Sequence, residues 1–383
     1  MGIGYRSVLG GGGATGVPID SFEITTLPSK LTYEVGDSLD TTGMVVTATA
    51  DGMSGNVASR CSFAPTTFDS LGAHAVTCNY HGAQDAFTIL VTEGTIGTLE
   101  ETSWSLIKSV GSTGLGDQYW AVGDTKSVSV SGTVGNQEIE GDWKVFIIDF
   151  NYQGDNGIYF QCFSYGNNYL GLHPTNTSSS DGRKNYNWNH WQTDNACHGG
   201  WKGCDLRYDV LGSTDVPPSG YGAATTSGRV GYDATSTCAT NPVQGTLMAA
   251  LPGDLRTAIA PWTIYSDNVG AKAKNVAANV TASIDYLPLL SEYEVKGTRT
   301  YANSAEQNYQ SQMAFYANGG TLVKYRHTAP TQYTGDWESR SFDVNWGNTE
   351  GSYVYFAKAS GYSPAHSSGG SMASLLCPAF RVA

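Results

Sequence analysis

Four side chains able to hold a metal fall close together in the stretch NHWQTDNACHGGWKGC: His190, Cys197, His198 and Cys204. Zinc takes imidazole nitrogen and thiolate sulfur. The spacings fit no common zinc finger, however, and the chain contains no C-x-x-C pair. The expectation is buried thiols and hydrogen-bonded imidazoles, with a structural zinc as the alternative. Catalytic signatures are equally sparse. There is no H-E-x-x-H, no G-x-S-x-G and no Walker loop, and no acidic pair stands in a recognisable active-site setting. A glycosidase built from carboxylates distant in sequence stays open as an alternative. The reading adopted is a non-enzymatic protein with no metal and no cofactor.

A second set of residues suits contact chemistry. Residues 335 to 370, GDWESRSFDVNWGNTEGSYVYFAKASGYSPAHSSGG, mix aromatics, small polar residues and glycines with neither a strand nor a helix period. Tyr, Trp, Ser, Gly and Asn together are what binding loops use: rigid aromatic area beside adaptable hydrogen-bonding groups. The candidate ligand contacts are Trp337, Asp343, Asn345, Trp346, Asn348, Tyr353, Tyr355, Tyr362 and His366. The competing reading puts Trp337, Trp346 and Tyr355 in the core. Calcium-dependent sugar binding would need clustered carboxylates, and NWGN supplies Asn345 and Asn348 without a carboxylate pair. Recognition would therefore rest on stacking and hydrogen bonds.

These loops need a folded base, and the chain is large enough for one. Its 383 residues are 40% hydrophobic and 11% aromatic, sufficient for two or three domains with real cores. Only 14% are charged, with 47 glycines and 23 tyrosines, a balance more typical of β-rich extracellular and virion proteins than of cytosolic enzymes. A net charge of -13 opposes phosphate backbones, so nucleic acid is not an expected partner. No apolar run reaches the roughly 20 residues that span a bilayer, and MGIGYRSVLGGGG has no hydrophobic core of a signal peptide. Neither a sortase motif nor a lipidation box ends the chain.

Residues 1–17 read as a glycine-rich anchoring arm. Gly11, Gly13 and Gly16 have dinucleotide-loop spacing, but no full strand precedes them and proline follows. Residues 18–93 alternate in short runs broken by Gly, Asp and Pro, the pattern of a small β-sandwich of about seven strands. Residues 94–383 form a larger α+β unit. There YWAVGDTKSVSVSGTV and WKVFIIDFNY read as strands, with VFIIDF apolar enough for a central one. LPGDLRTAIAPW predicts a helix with Leu251, Leu255 and Ile259 on one face, ending at Pro261. SAEQNYQSQMAFYANGG predicts another, with Ser304 and Gln307 in capping-box spacing, Ala305, Tyr309 and Met313 on one face and Gly319 as terminator.

Cysteine usage is uninformative in number. Cys61, Cys78, Cys162, Cys197, Cys204, Cys238 and Cys377 are an odd count, too irregular for a disulfide framework. Cys61 and Cys78 fall on two expected strands of one unit. A bond between them would be worth about 3 kcal/mol, whereas assembly in a reducing cytosol would keep both as thiols. Both states stay open.

Two resemblances organise these readings. LTYEVGDSLDTTGMVVTATADG resembles the motif of bacterial immunoglobulin-like surface modules, in which tyrosine precedes Gly-Asp, Leu-Asp and Gly-Met-Val-Val-Thr-Ala, with an Asp-Gly turn. Further on stand GGWKGCDLR, LPGDLRTAIAPWTIYSDN, LLSEYEVKGTRTYANSAEQNYQ, YANGG with VKY, WESRSF and CPAFRVA. In that order they resemble a domain family of gut-phage and gut-bacterial surface proteins to which no function is assigned. Three departures from its pattern, at Leu290 before Ser291, at Phe342 and at Cys377, bear on local turns. The second resemblance implies a C-type-lectin-like fold, with the last 50 or so residues displayed as loops. It also implies kinship with targets of phage diversity-generating retroelements.

The fold expected is thus mostly β: an N-terminal Ig-like sandwich followed by a larger α+β, C-type-lectin-like domain with displayed loops at about 335–370. The function expected is a phage virion surface protein, a head fibre, capsid decoration or tail adhesin. It would be assembled in the host cytoplasm and released by lysis, without insertion into a membrane. Its partners would be other virion proteins through the arm and Ig-like domain, a host cell-surface protein or glycan through the loops, and a possible second copy of itself. The alternatives are a purely structural attachment protein without a ligand and a bacterial cell-surface adhesin.

Overall fold

A computed structural model describes residues 18–92, 96–134, 137–164, 199–204, 206–215, 232–233, 235–268, 275–322, 324–325, 334–335, 337–342, 353–357, 365–368 and 376–383. The arm at 1–17 lies outside them, as do His190, Cys197 and His198. The chain divides into two compact units, Met1–Thr95 and Ile96–Ala383.

Among its described residues the first unit holds seven strands: β1 Ser21–Thr26, β2 Thr32–Glu34, β3 Val45–Ala50, β4 Met53–Asn56, β5 Ser62–Ala64, β6 Gly72–Tyr80 and β7 Ala83–Thr92. They form one sheet ordered β1-β3-β4 and another ordered β2-β7-β6-β5. Period-two alternation sends Val46, Val76, Cys78, Phe87 and Ile89 inward, and they bury a common core with Tyr33 and Phe68. Two hairpins close on residues that tolerate positive φ. Asp51 and Gly52 (φ 51° and 72°) join β3 to β4, and His81 and Gly82 (φ 51° and 89°) join β6 to β7. Tyr33 explains the LTYEVGDSLD segment. Its hydroxyl donates to Lys30 O at 2.9 Å and accepts from Asp40 N–H at 3.1 Å, while its ring lies 4.7 Å from that of Phe68. The loop between β2 and β3 is thereby fastened to the core.

In the second unit the helix Trp104–Thr113 is capped by the Ser103 hydroxyl, which accepts from Leu106 N–H. After it come β8 Thr125–Val134, β9 Gln137–Phe150, β10 Ile158–Ser164, β11 Ile259–Ala260, β12 Trp262–Asp267 and β13 Val280–Asp285. The remaining strands are β14 Lys324–Tyr325, β15 Thr334–Gly335, β16 Trp337–Phe342, β17 Tyr353–Ala357, β18 Ala365–Ser368 and β19 Ala379–Val382. A seven-stranded sheet runs β11-β19-β10-β14-β15, with β9 also on β10 and β8 on β9. The VFIIDF run lies in β9 between β8 and β10, and its Val145, Phe146, Ile147 and Ile148 are buried. At the sheet's middle, Phe160 of β10 is registered against Phe380 of β19 and Ile147 of β9. Trp104 packs edge-on against Phe160 and Phe380, at 5.5 Å and 6.1 Å. The chain's last strand is thus an inner strand, and Leu376, Cys377 and Phe380 are core.

Both helix expectations need correction. In LPGDLRTAIAPW the helix covers only Gly253–Ala258, and Ile259 opens β11. Leu251, Leu255 and Ile259 are all buried, so the helical spacing recorded burial rather than one continuous helix. SAEQNYQSQMAFYANGG forms a 3-10 turn at Ser304–Asn308 and one short helix at Ala314–Ala317, and the cap is Asn303, not Ser304. Tertiary hydrogen bonds overrule the local preference: Gln310 donates to Tyr265 O and Met313 N–H donates to Glu294 O. Tyr309, expected on the buried face, is instead exposed and stacks on Tyr265 at 4.2 Å between ring centres.

Candidate ligand-binding face

The segment expected to carry ligand contacts includes β16, an edge strand of its sheet whose described side chains are buried. Trp337, Ser339, Arg340 and Ser341 are each fully buried. Trp337 is therefore a correction: nominated as a contact, it is a core anchor. Its indole N–H donates to Leu322 O at 2.9 Å, and its ring stacks at 6.3 Å on that of Tyr316. An indole satisfied on its polar edge and covered on its face has nothing left to offer a ligand.

Arg340 makes the strongest attachment. Its guanidinium grips Glu294 with both forks, Nη2 to Oε1 at 2.6 Å and Nη1 to Oε2 at 2.5 Å. Nη1 also donates to Leu289 O at 2.7 Å and Nε to Ser266 Oγ at 3.0 Å. A buried charge is tolerable only when paired and hydrogen-bonded, and here the guanidinium is paired with four of its five N–H groups engaged. Glu294 is placed by local sequence: SEYE starts the helix Glu292–Lys296 with a capping box between Ser291 and Glu294. Glu292 turns the other way and accepts the N–H groups of Thr300, Tyr301 and Ala302 at 2.7 to 2.9 Å.

Ser341, next along β16, donates to Glu306 Oε2 at 3.0 Å and accepts from Glu292 N–H at 3.1 Å. Glu306 also accepts from Asp267 N–H at 2.9 Å. Burial pushes its carboxyl up to about 7, against the pull of those donors and of Arg340. The segments SEYE, AEQN and WESRSF thus meet in one buried polar network. Its members are engaged with one another and fasten β16 to both segments.

From this base a three-stranded antiparallel sheet extends in the order β16-β17-β18. The pairing of β16 with β17 shifts register between Glu338 and Phe342, where Arg340 N–H turns away to Leu290 O. On β17 and β18, Tyr353 is registered opposite Ser368 and Tyr355 opposite His366. Those three nominated positions fall on two neighbouring strands, with Tyr353 and Tyr355 two residues apart, which is one face of a strand. Their side chains, and the whole of Asp343, Asn345, Trp346, Asn348 and Tyr362, lie outside the described residues.

The metal-capable stretch is represented by Cys204 alone. Its thiol donates to Trp201 O at 3.1 Å, and burial pushes it up to about 12, which leaves it protonated. Among the described residues no three His, Cys, Asp or Glu are grouped to hold a metal ion. No helix among them is long and apolar enough to cross a membrane.

The first unit can be placed in a family. Residues 26–91 are a bacterial Ig-like domain of group 3. The match begins at the end of β1 and closes within β7, so it takes in the Tyr33 corner and both hairpins of the Ig-like domain. No curated protein matches the chain.

Sequence reasoning missed the network. Arg340, Glu294 and Arg207 enter the sequence reading only within segments of the second resemblance, Glu306 also within an expected helix, and Asp285, which pairs with Arg207 at 2.6 Å, not at all. One signal was available: in a chain with only 14% charged residues, SEYE and WESRSF concentrate charge beside apolar neighbours. Such charge is either solvated or paired in the interior.

Proposed function

We propose that the chain is a non-enzymatic surface protein of a phage particle. The arm and the Ig-like domain attach it, and the C-terminal part of the second unit, with a C-type-lectin-like fold, presents a host- or glycan-binding face. The observation that carries this reading is the construction of β16. A strand locked by Trp337 and Arg340 gives the β17–β18 hairpin a stiff base, and a stiff base lowers the ordering cost of binding. Onto that hairpin the register brings Tyr353, Tyr355 and His366. The flanking Asn345, Trp346, Asn348 and Tyr362 extend the same chemistry.

The test is retention of the full chain on host cells and on a glycan array. Alanine at Trp346, Tyr353 and Tyr355 is expected to abolish retention and leave the melting temperature unchanged. Loss of stability without retention by the wild type would instead support a purely structural attachment protein. A second reading, a bacterial cell-surface adhesin, is favoured by the bacterial character of the matched Ig-like family. Locating the protein on purified particles or on the bacterial envelope separates the two.

A further inference from the structure

Cys61 and Cys78 meet inside the Ig-like domain. Strand β5 pairs antiparallel with β6, placing Ser62 opposite Asn79 and Phe63 opposite Cys78. Cys61 stands two residues before Phe63, on the same side of the chain and diagonal to Cys78. The register leaves the two side chains near enough to interact, and Cys61 Sγ donates to Val57 O at 3.4 Å. Accessibility is asymmetric. Cys61 is half-buried, while Cys78 is wholly enclosed in the sandwich core.

We propose that Cys61 and Cys78 are a disulfide-forming site that ties β5 to β6 when the protein meets a disulfide oxidant such as glutathione disulfide. Cys61 reacts first because it alone is reachable. Its thiolate attacks one sulfur of glutathione disulfide, its proton passes to water, and one glutathione thiolate leaves. The Cys78 sulfur, losing its own proton, then attacks the Cys61 sulfur and expels the second glutathione. One protein disulfide forms, two protein thiols are oxidised, and one glutathione disulfide is reduced to two thiols. Burial, with the neighbouring Cys61 thiol second, pushes the Cys78 thiol up to about 12, which keeps it protonated and, with its enclosure in the core, excludes it as the entry point. The inference does not depend on the proposed display function. It makes the Ig-like domain looser in a reducing compartment and tighter outside one.

The test uses the full chain, purified with dithiothreitol and then divided between reductant and glutathione disulfide. Each portion is denatured, alkylated and mapped by mass spectrometry without further reduction. After oxidation a peptide linking Cys61 to Cys78 is expected, lighter by two hydrogens than its reduced parts. The unfolding midpoint of the Ig-like domain is expected to rise by about 12–24 °C, to fall again with dithiothreitol, and to show no such rise in Cys61→Ser or Cys61→Ala. Recovery of both cysteines alkylated, a stable glutathione adduct on Cys61, or pairing of either with another cysteine would overturn the proposal. So would a crosslink that leaves the midpoint unmoved.

Discussion

Arg340 and Glu294 face each other fork to fork inside the second unit, with nitrogen to oxygen distances of 2.5 and 2.6 Å, and both side chains are withdrawn from solvent. One belongs to the strand from which the proposed face extends, the other to the first turn of a short helix 46 residues earlier. The pair therefore closes a long loop and sets the position of β16 in one step.

Removing one partner should be far worse than removing both. Arg340→Met leaves Glu294 buried and unpaired, a change expected to destabilise the second unit by about 3–5 kcal/mol. Glu294→Gln should cost about as much, because Arg340 is stranded. The double variant should lose less than the sum of the two, a coupling that chemical denaturation followed through the second unit's transition would measure.

Glu306 should make the same unit sensitive to pH. Its carboxyl sits at about 7 in the folded chain against an ordinary value of 4.5, chiefly through burial. A carboxyl raised by folding is protonated more readily in the native state, so stability is complete below about 4.5 and declines as pH rises through about 7. The full difference is no more than about 3 kcal/mol. Denaturation of wild type and Glu306→Gln between pH 4.5 and 8 checks this: the slope should be present in the first and absent in the second.

Lys126 fixes the start of the second unit. It is buried, and its ammonium donates to Leu99 O, Glu100 O and Thr102 O at 3.2, 2.9 and 2.8 Å, beside the ring of Trp104. Lys126→Met keeps the volume and strands three carbonyls. A loss of about 2–3 kcal/mol is expected in the second unit's unfolding, with the Ig-like domain unaffected.

The Ig-like domain has its own sensitive point at Tyr33. Tyr33→Phe removes the hydroxyl shared by Lys30 O and Asp40 N–H while leaving the ring against Phe68. Thermal unfolding of this domain should show a cost of about 1–2 kcal/mol.

What could be read ahead of the structure follows from where each force acts. In the Ig-like domain alternation and turn chemistry are local, so TYEVGD, the Asp51-Gly52 turn and strands such as AVTCNY were legible from the chain. In the second unit the apolar core was legible as residues but not as elements. Leu251, Leu255 and Ile259 are all buried, yet the last belongs to a strand. Tyr309 and Trp337 exchanged the roles expected of them. The first is held outward on Tyr265, the second inward by Leu322 O. Those partners lie 44 and 15 positions away, and neither leaves a mark in spacing. The Arg340–Glu294 pair is legible only in retrospect, since nothing in SEYE or WESRSF names its counterpart.

The central proposal is that the β17–β18 hairpin and its flanking residues bind a host or glycan surface. The most direct measurement compares retention on host cells and immobilised glycans of the wild type with that of the Trp346, Tyr353 and Tyr355 alanine variants, each paired with its melting curve. Retention by the wild type, lost in the variants at an unchanged melting temperature, is the result predicted. Variants that bind as well as the wild type, or that fail only because they unfold, would contradict it.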